Sequence, residues 1–383
     1  MIITEGLTVS TASKNSGEIF TIIITEDAMK KYNVGIMGAT GAVGQEMINI
    51  LAERQFPVGE LRCLASSRSA GKQLETPFGL CTVQETCETA FEGLDIVLGA
   101  SENDIAQAMA PAIKAAGAVF VDNSSAFRLN PDVPLVVPEI NPEDALKHKG
   151  IISNPNCSTI ITLVAVNAIN KLSPIKGMYV STYQATSGAG AAGPKEMYAQ
   201  SAQILEARAE KLEDNAAVGI EEAGFAYGAE IEARVFQHQI AYNVIPQIGG
   251  FGSNLYSSEE MKLQNEGRKI MHLPEMKVSC TCVRVPVERS HAISACVLTE
   301  RPLSVEEVRA AVAEAPGAKL FDNGDAHEYP MPLVTSGQDI VYVGRIRKDL
   351  VNENGINLWC CGDQVRKGAA TNAVQIAELL IEK

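Results

Sequence analysis

The chain has 383 residues, 46% hydrophobic and 20% charged, and carries a formal net charge of −14. That length exceeds one ordinary core and predicts two domains, and the composition is that of a folded, enzyme-like protein and not a disordered one. The acidic balance excludes nucleic acid and anionic membrane surfaces as partners, and no stretch reaches the roughly 20 apolar residues of a membrane span.

The nine cysteines are scattered without paired C-x-x-C elements, so no metal site is expected, and reduced thiols suit a cytoplasmic setting. Residues 1–28 form an extension of unknown role, without the basic and apolar regions of a signal peptide. Met29-Lys30-Lys31-Tyr32 looks like an ordinary start placed directly before a first strand.

Residues 33–37 read as a buried strand that runs into Gly38-Ala39-Thr40-Gly41-Ala42-Val43-Gly44 and a helix over 44–53. Strand, GxxGxxG and helix together make a dinucleotide-binding turn. Glycine permits the tight bend and the close approach of a pyrophosphate, and the helix N-terminus supplies positive field. The candidate contacts are Gly38, Thr40, Gly41, Ala42, Val43 and Gly44; helix–sheet packing is the plainer use of the same small residues.

The next strand, 61–65, should end beside the adenosine ribose. An NAD-binding protein places Asp or Glu there, whereas this chain has Ser66-Ser67-Arg68-Ser69 and no acid before Glu75. Hydroxyls and a guanidinium suit a 2′-phosphate, so NADP(H) is the expected cofactor, with Ser66, Arg68 and Ser69 around that phosphate.

Strands over 95–100 and 118–122 flank a helix over 103–116. The second strand ends in Asn123-Ser124-Ser125-Ala126-Phe127-Arg128, at the carboxyl end where such sheets bind ligands. Residues 136–141 and 150–152 continue the strand-like pattern. The alternation predicts a parallel, doubly wound sheet of the Rossmann type.

Ser153-Asn154-Pro155-Asn156-Cys157-Ser158-Thr159 then reads as a tight turn into an apolar helix, with Cys157 at or next to the N-cap. A thiol there feels the positive helix end, which favours the thiolate, and the same N–H groups could receive an oxyanion. A buried structural cysteine is the alternative.

Beyond this turn the pattern changes. A strand over 176–182 leads into Tyr183-Gln184-Ala185-Thr186-Ser187-Gly188-Ala189-Gly190, and Pro194 suits the first turn of a helix reaching about 212. A strand over 240–246 and a helix over 259–271, capped by Ser258, come next. Strands over 277–287 and 292–299 are expected to be antiparallel and joined near Glu288-Arg289-Ser290-His291. A helix over 305–314, a hairpin of 339–348 with 356–362, and a closing helix over 365–381 complete an α+β second domain.

Residues 38–44, Ser124-Ser125-Ala126-Phe127-Arg128, residues 153–159 and 183–190, Arg284-Val285-Pro286-Val287 with His291, and Asp363-Gln364-Val365-Arg366-Lys367-Gly368-Ala369 form one set. In this order, from about Met29 to the C-terminus, the set resembles bacterial aspartate-β-semialdehyde dehydrogenases. Asn-Cys-Ser-Thr alone occurs in a wider group of acyl-enzyme dehydrogenases, but the combination is specific.

The resemblance implies an α/β fold. A Rossmann domain of 29–156 plus 356–383 would join an α+β catalytic and dimerisation domain, 157–355, of the glyceraldehyde-3-phosphate-dehydrogenase-like type. It implies a homodimer that converts 4-phospho-L-aspartate reductively to L-aspartate-4-semialdehyde in lysine, methionine and threonine biosynthesis. By resemblance Cys157 is the nucleophile that forms a thioacyl intermediate, His291 the general acid/base and Gln184 the residue orienting substrate. Arg284 would hold the α-carboxylate and Glu259 the α-ammonium. Lys262 with Arg128 would hold phosphate, and Asn156 would shape the turn and touch phosphate. Ser187, Gly188 and Gln364 would join the cofactor contacts.

Taken alone, Glu259 and Lys262 at i and i+3 read as a solvated ion pair, and a lone His291 reads as a structural hydrogen bond. The chain departs from the family at Gly99-Ala100-Ser101-Glu102-Asn103, where Ser-Ala-Gly-Gly-Ser is usual and Glu102 brings a carboxylate towards the cofactor. The competing readings are N-acetyl-γ-glutamyl-phosphate reductase and a non-catalytic homologue. Cys157, Gln184, Arg284 and His291 are all present, which argues against the second.

Overall fold

The computed structural model describes residues 7–13, 19–25, 30–214 and 231–381, with side chains for 30–206 and 231–381. Strands β1 (Leu7–Ser13) and β2 (Ile19–Thr25) pair antiparallel as a sheet of their own. The chain then enters β3 (Tyr32–Met37), α1 (Ala42–Glu53), β4 (Val58–Ala65), the small hairpin β5 (Gln73–Thr76) and β6 (Gly79–Thr82), and β7 (Gln84–Glu85). Next come β8 (Ile96–Gly99), α2 (Asn103–Ala115), β9 (Val119–Asp122) and β10 (Ile151–Ser153).

These strands form a six-stranded sheet in the order β10-β9-β8-β3-β4-β7, every pair parallel. Val34, Ile36, Leu98 and Val121 point to one core with the α1 residues Met47, Ile50 and Leu51, while Met37, Val97 and Phe120 face α2. Strands covered on both faces must be apolar throughout, which is why they read as continuous hydrophobic runs. Residues 136–141 are not a strand. Pro138 has no N–H to give a ladder, and Asn141 turns the chain by accepting the Val137 N–H, so only Leu135 bridges to Ser153.

The remaining elements are α3 (Cys157–Leu172), β11 (Ile175–Gln184), α4 (Ala192–Asp214), α5 (Ser258–Ile270), β12 (Lys277–Arg284) and β13 (His291–Thr299). They continue with α6 (Val305–Ala313), β14 (Ala318–Leu320), α7 (Pro332–Thr335), β15 (Val341–Lys348), β16 (Gly355–Gly362) and α8 (Thr371–Glu378).

The second sheet is mixed, in the order β12-β11-β13-β16-β15-β14. Strands β12 and β13 are therefore not hairpin partners. β11 lies between them, parallel to β12 and antiparallel to β13. Its intervention requires the long 285–290 connection to cross over β11. Residues 240–246 are a loop with a single bridge, Ile245 to Arg284, and Tyr242 in the left-handed region at φ 57° breaks any strand there. Ser257, one residue earlier than expected, caps α5, through a capping box with Glu260.

Helix α3 is buried on all sides from Ser158 to Ile169 and joins α5 and α6 over one face of this sheet. The opposite face exposes Tyr179, and Tyr183 beside Trp359. Strand β16 belongs to the second sheet, so within 356–383 only the closing helix packs on the first, through Ala373, Val374 and Ile376. That helix opens with wide turns in which Gly368 N–H reaches Asp363 O and Ala370 N–H reaches Val365 O.

Candidate active site

The turn that carries Cys157 follows β10 at the carboxyl edge of the parallel sheet. Asn156 is the N-cap of α3, and its Oδ1 accepts the Thr159 N–H at 3.1 Å. Its Nδ2 donates to Glu259 Oε1 at 2.9 Å and its own N–H to Glu266 Oε2 at 2.7 Å. Cys157 is the first helical residue. A Cβ on Gly368 would come within 2.9 Å of the Cys157 Cβ, so glycine alone lets the closing helix pass this close.

Sheet register assembles the opposite wall. Gln184 and Arg284 are direct partners at the ends of β11 and β12, and Tyr183 pairs with Ala292, which sets His291 beside Gln184 on β13. Side chains distant in sequence thus share one sheet end. His291 is fully buried, with Nε2 3.5 Å from Cys157 Sγ and 3.5 Å from Gln184 Nε2. Its Nδ1 lies 3.0 Å from the Ala185 N–H. A backbone amide only donates, so Nδ1 accepts and the neutral ring carries its proton on Nε2, towards the sulfur. Ser290, in the left-handed region at φ 76°, is held there by Gln364 Oε1 and Thr335 Oγ1.

Electrostatics correct one expectation. Burial pushes the Cys157 thiol up to about 11; Glu259 adds to the rise, and Lys262, Arg284 and Arg128 oppose it without prevailing. The thiol is therefore favoured over the thiolate at rest, because desolvation and then the Glu259 carboxylate outweigh the cations. Burial, reinforced by the Arg284 charge, brings His291 down to about 3, so the ring is neutral at physiological pH. Glu259 is buried; burial works against its charge, yet Lys262, Asn156 and Gln184 hold it down to about 2.

The cations are placed as follows. Arg284 is buried, donates to Ala185 O at 2.7 Å and lies over the Phe236 ring at 5.8 Å. Gly188 flanks both Arg284 and His291, where a Cβ would meet Arg284 NH1 at 2.7 Å. Lys262 is half-buried and paired to Glu259 Oε2 at 2.9 Å, so this pair is not a solvated one. Arg128 is buried and already engaged, by Asn154 O at 3.0 Å, Asn123 O at 2.7 Å and Glu266 Oε1 at 3.1 Å.

The nucleotide turn has the shape a pyrophosphate needs. Gly38 has φ 88° with Ala100 O against it, and a Cβ on Gly44 would strike Gly38 O at 2.3 Å. Gly41 is the N-cap of helix α1, which has no side-chain cap and no acid in its first turn, leaving Thr40, Ala42 and Val43 beside an open N-terminus. Ser66, Arg68 and Ser69 follow β4, the neighbour of β3; Arg68 is exposed and pairs with no carboxylate among the described residues. Ser187 Oγ donates to Glu288 O at 2.5 Å and accepts from Gln364 Nε2, which ties that group to the His291 end. Glu102, the N-cap of α2, is exposed. The residues present fit a dinucleotide.

Sequence spacing does not single out Glu266, which faces the site beside Glu259. The usable signal is periodic: Glu259, Lys262, Glu266 and Lys269 fall on one face of α5.

Comparison with known proteins follows the same outline. A family model described as semialdehyde dehydrogenase, NAD binding domain, matches residues 33–148, and one described as semialdehyde dehydrogenase, dimerisation domain, matches 167–367. The aspartate-semialdehyde dehydrogenase of Synechocystis sp. is 46% identical over 350 residues, 91% of this chain and 97% of the relative. That of Bacillus subtilis is 43% identical over 349 residues, 91% and 97%. The crystal structure of aspartate semialdehyde dehydrogenase II from Vibrio cholerae, complexed with ASA, superposes with a TM-score of 0.83 at 42% identity, covering 92% of this chain and 98% of that one. The Candida albicans enzyme, solved with NADP, does so with a TM-score of 0.66 at 26% identity, covering 92% and 98%.

Proposed function

Because the chain belongs to the aspartate-semialdehyde dehydrogenase family, we infer that it interconverts L-aspartate-4-semialdehyde and 4-phospho-L-aspartate, using phosphate and NADP(H). The reductive direction would serve lysine, methionine and threonine biosynthesis. The observation that carries this reading is the half-buried Cys157, with Sγ 3.5 Å from His291 Nε2 at the sheet end shared by Gln184 and Arg284.

In that direction the Cys157 thiol adds to the acyl phosphate carbonyl, the C–O bond to phosphate breaks, and the thiol proton leaves with the phosphate, so that a thioacyl group remains on the sulfur. The N–H groups that open α3 and the His291 Nε2–H surround the oxygen on which negative charge develops. Acid–base exchange at His291 is confined to Nε2, since Nδ1 is occupied by Ala185. NADPH, when bound, supplies the hydride that reduces the thioacyl group. Gly38, Thr40, Gly41, Ala42, Val43 and Gly44 would hold its pyrophosphate, and Ser66, Arg68 and Ser69 its 2′-phosphate. Ser187, Gly188 and Gln364 would meet its reacting end.

Gln184 would orient the substrate, Arg284 grip its α-carboxylate with a bidentate fork, and Lys262 with Arg128 and Asn156 receive phosphate. Glu259 would take the α-ammonium. That cation would offset the carboxylate charge that raises the thiol pKa, so substrate binding and nucleophile activation support each other. The same carboxylate favours this substrate over an N-acetylated, longer one, which has no cation to offer it. Comparing turnover of L-aspartate-4-semialdehyde with N-acetyl-L-glutamate-5-semialdehyde tests the choice; a preference for the second would overturn it.

Residues 29–156 with the closing helix would be the cofactor domain and the mixed sheet the catalytic one. The sheet face bearing Tyr179, Tyr183 and Trp359 would pair with a second copy, and a monomer in light scattering would contradict that. All nine cysteines are free thiols, which fits a reducing cytoplasm; labelled chain found outside that compartment would count against it. Among the described residues no helix is long and apolar enough to cross a membrane.

A further inference from the structure

We propose that Glu266 is a positioning residue for the reaction, locking the phosphate-side guanidinium of Arg128 and the Asn156–Cys157 turn into one frame. This rests on the reading of Arg128 as a phosphate residue.

Glu266 is 2% exposed, and its two oxygens serve different loops. Oε1 accepts from Arg128 NH1 at 3.1 Å, on the connection after β9, and Oε2 accepts the Asn156 N–H at 2.7 Å, on the connection after β10. A carboxylate this buried is tolerated only where donors meet both oxygens, and here both donors belong to the site. One turn on, Lys269 Nζ donates to Arg128 O at 2.9 Å, Asn130 O at 2.7 Å and Val133 O at 2.7 Å. Helix α5 therefore grips Arg128 by its side chain and its carbonyl. Its other end, through Glu259, holds the Asn156 side chain. The distance between the anion-side cation and the nucleophile is set from one rigid helix, which is the kind of support that keeps reacting groups within a near-attack geometry.

The test is Glu266→Gln in the full chain, assayed with phosphate, L-aspartate-4-semialdehyde and NADP, with kcat expressed per titratable Cys157 thiol. The amide keeps one acceptor for the Asn156 N–H but turns an NH2 towards the guanidinium. The expected result is a fall in kcat of about tenfold or more and a rise of about tenfold in the phosphate KM, with the NADP KM unchanged. In an Arg128→Ala background the same substitution should add nothing to the phosphate KM. Should Glu266→Gln not fold, Glu266→Asp, which keeps the charge but cannot span both donors, takes its place with the same readouts. A merely structural role would lower Tm and the titratable fraction while leaving kcat per thiol and the phosphate KM unchanged, and that result would overturn the proposal alone. An Arg128→Ala enzyme with an unchanged phosphate KM would overturn the reading of Arg128 itself, and this proposal with it.

Discussion

The Ala185 N–H points at His291 Nδ1 from 3.0 Å, and this one bond decides which ring nitrogen is available to chemistry. Protonating Nδ1 would set two donors face to face, and burial beside Arg284 already brings the ring down to about 3. The imidazole is therefore a neutral donor through Nε2 across the physiological range. Nitrogen-15 NMR of His291 should show the Nε2–H tautomer unchanged between pH 5 and pH 8. A titration centred near the ordinary histidine value would contradict this.

Cys157 should rest as a thiol in the free enzyme. Thiolate fraction, and with it the rate of alkylation of Cys157, should rise about tenfold per pH unit from pH 7 to 9.5, towards a midpoint near 11. A negative neighbour disfavours the thiolate, so removing the Glu259 charge must lower that midpoint. Glu259→Gln should accordingly be alkylated faster than wild type at pH 8 while its KM for the semialdehyde rises. A plateau already reached at pH 7 in the wild type would mean that the cations outweigh burial.

Arg68 is exposed and without a carboxylate partner among the described residues, so its loss should leave the fold intact and act only on cofactor choice. Arg68→Ala should lower the preference for NADP over NAD by about tenfold, the scale of one charge-assisted contact to a phosphate. Equal kcat/KM ratios for the two cofactors before and after the substitution would remove Arg68 from the 2′-phosphate site.

What the sequence disclosed followed from short-range physics. The glycines at 38, 41 and 44, the Asn156–Cys157 helix start and the 3.6-residue periods depend on a few neighbouring residues, and each emerged at nearly its predicted position. The order of strands in the second sheet did not, because nothing local in 277–299 records that β11 inserts between β12 and β13. That insertion is what sets Gln184 between Arg284 and His291, so the resemblance named those side chains while their alignment needed the sheet. The Cys157 shift was misread for a related reason. Helix end and cations are visible in sequence, whereas desolvation by the surrounding fold and the approach of Glu259 across 102 residues are tertiary facts. Glu266 shows the same limit, since a charged helical residue looks solvated until its two buried partners are found.

The central claim is that Cys157 forms a thioacyl intermediate on the way between an acyl phosphate and an aldehyde. The most direct measurement is phosphate-dependent formation of NADPH from L-aspartate-4-semialdehyde, for wild type and Cys157→Ser side by side, with circular dichroism to confirm an intact fold. The prediction is robust turnover in the wild type and a loss on the order of a thousandfold or more in the variant. Turnover that survives in a folded Cys157→Ser enzyme would contradict the mechanism.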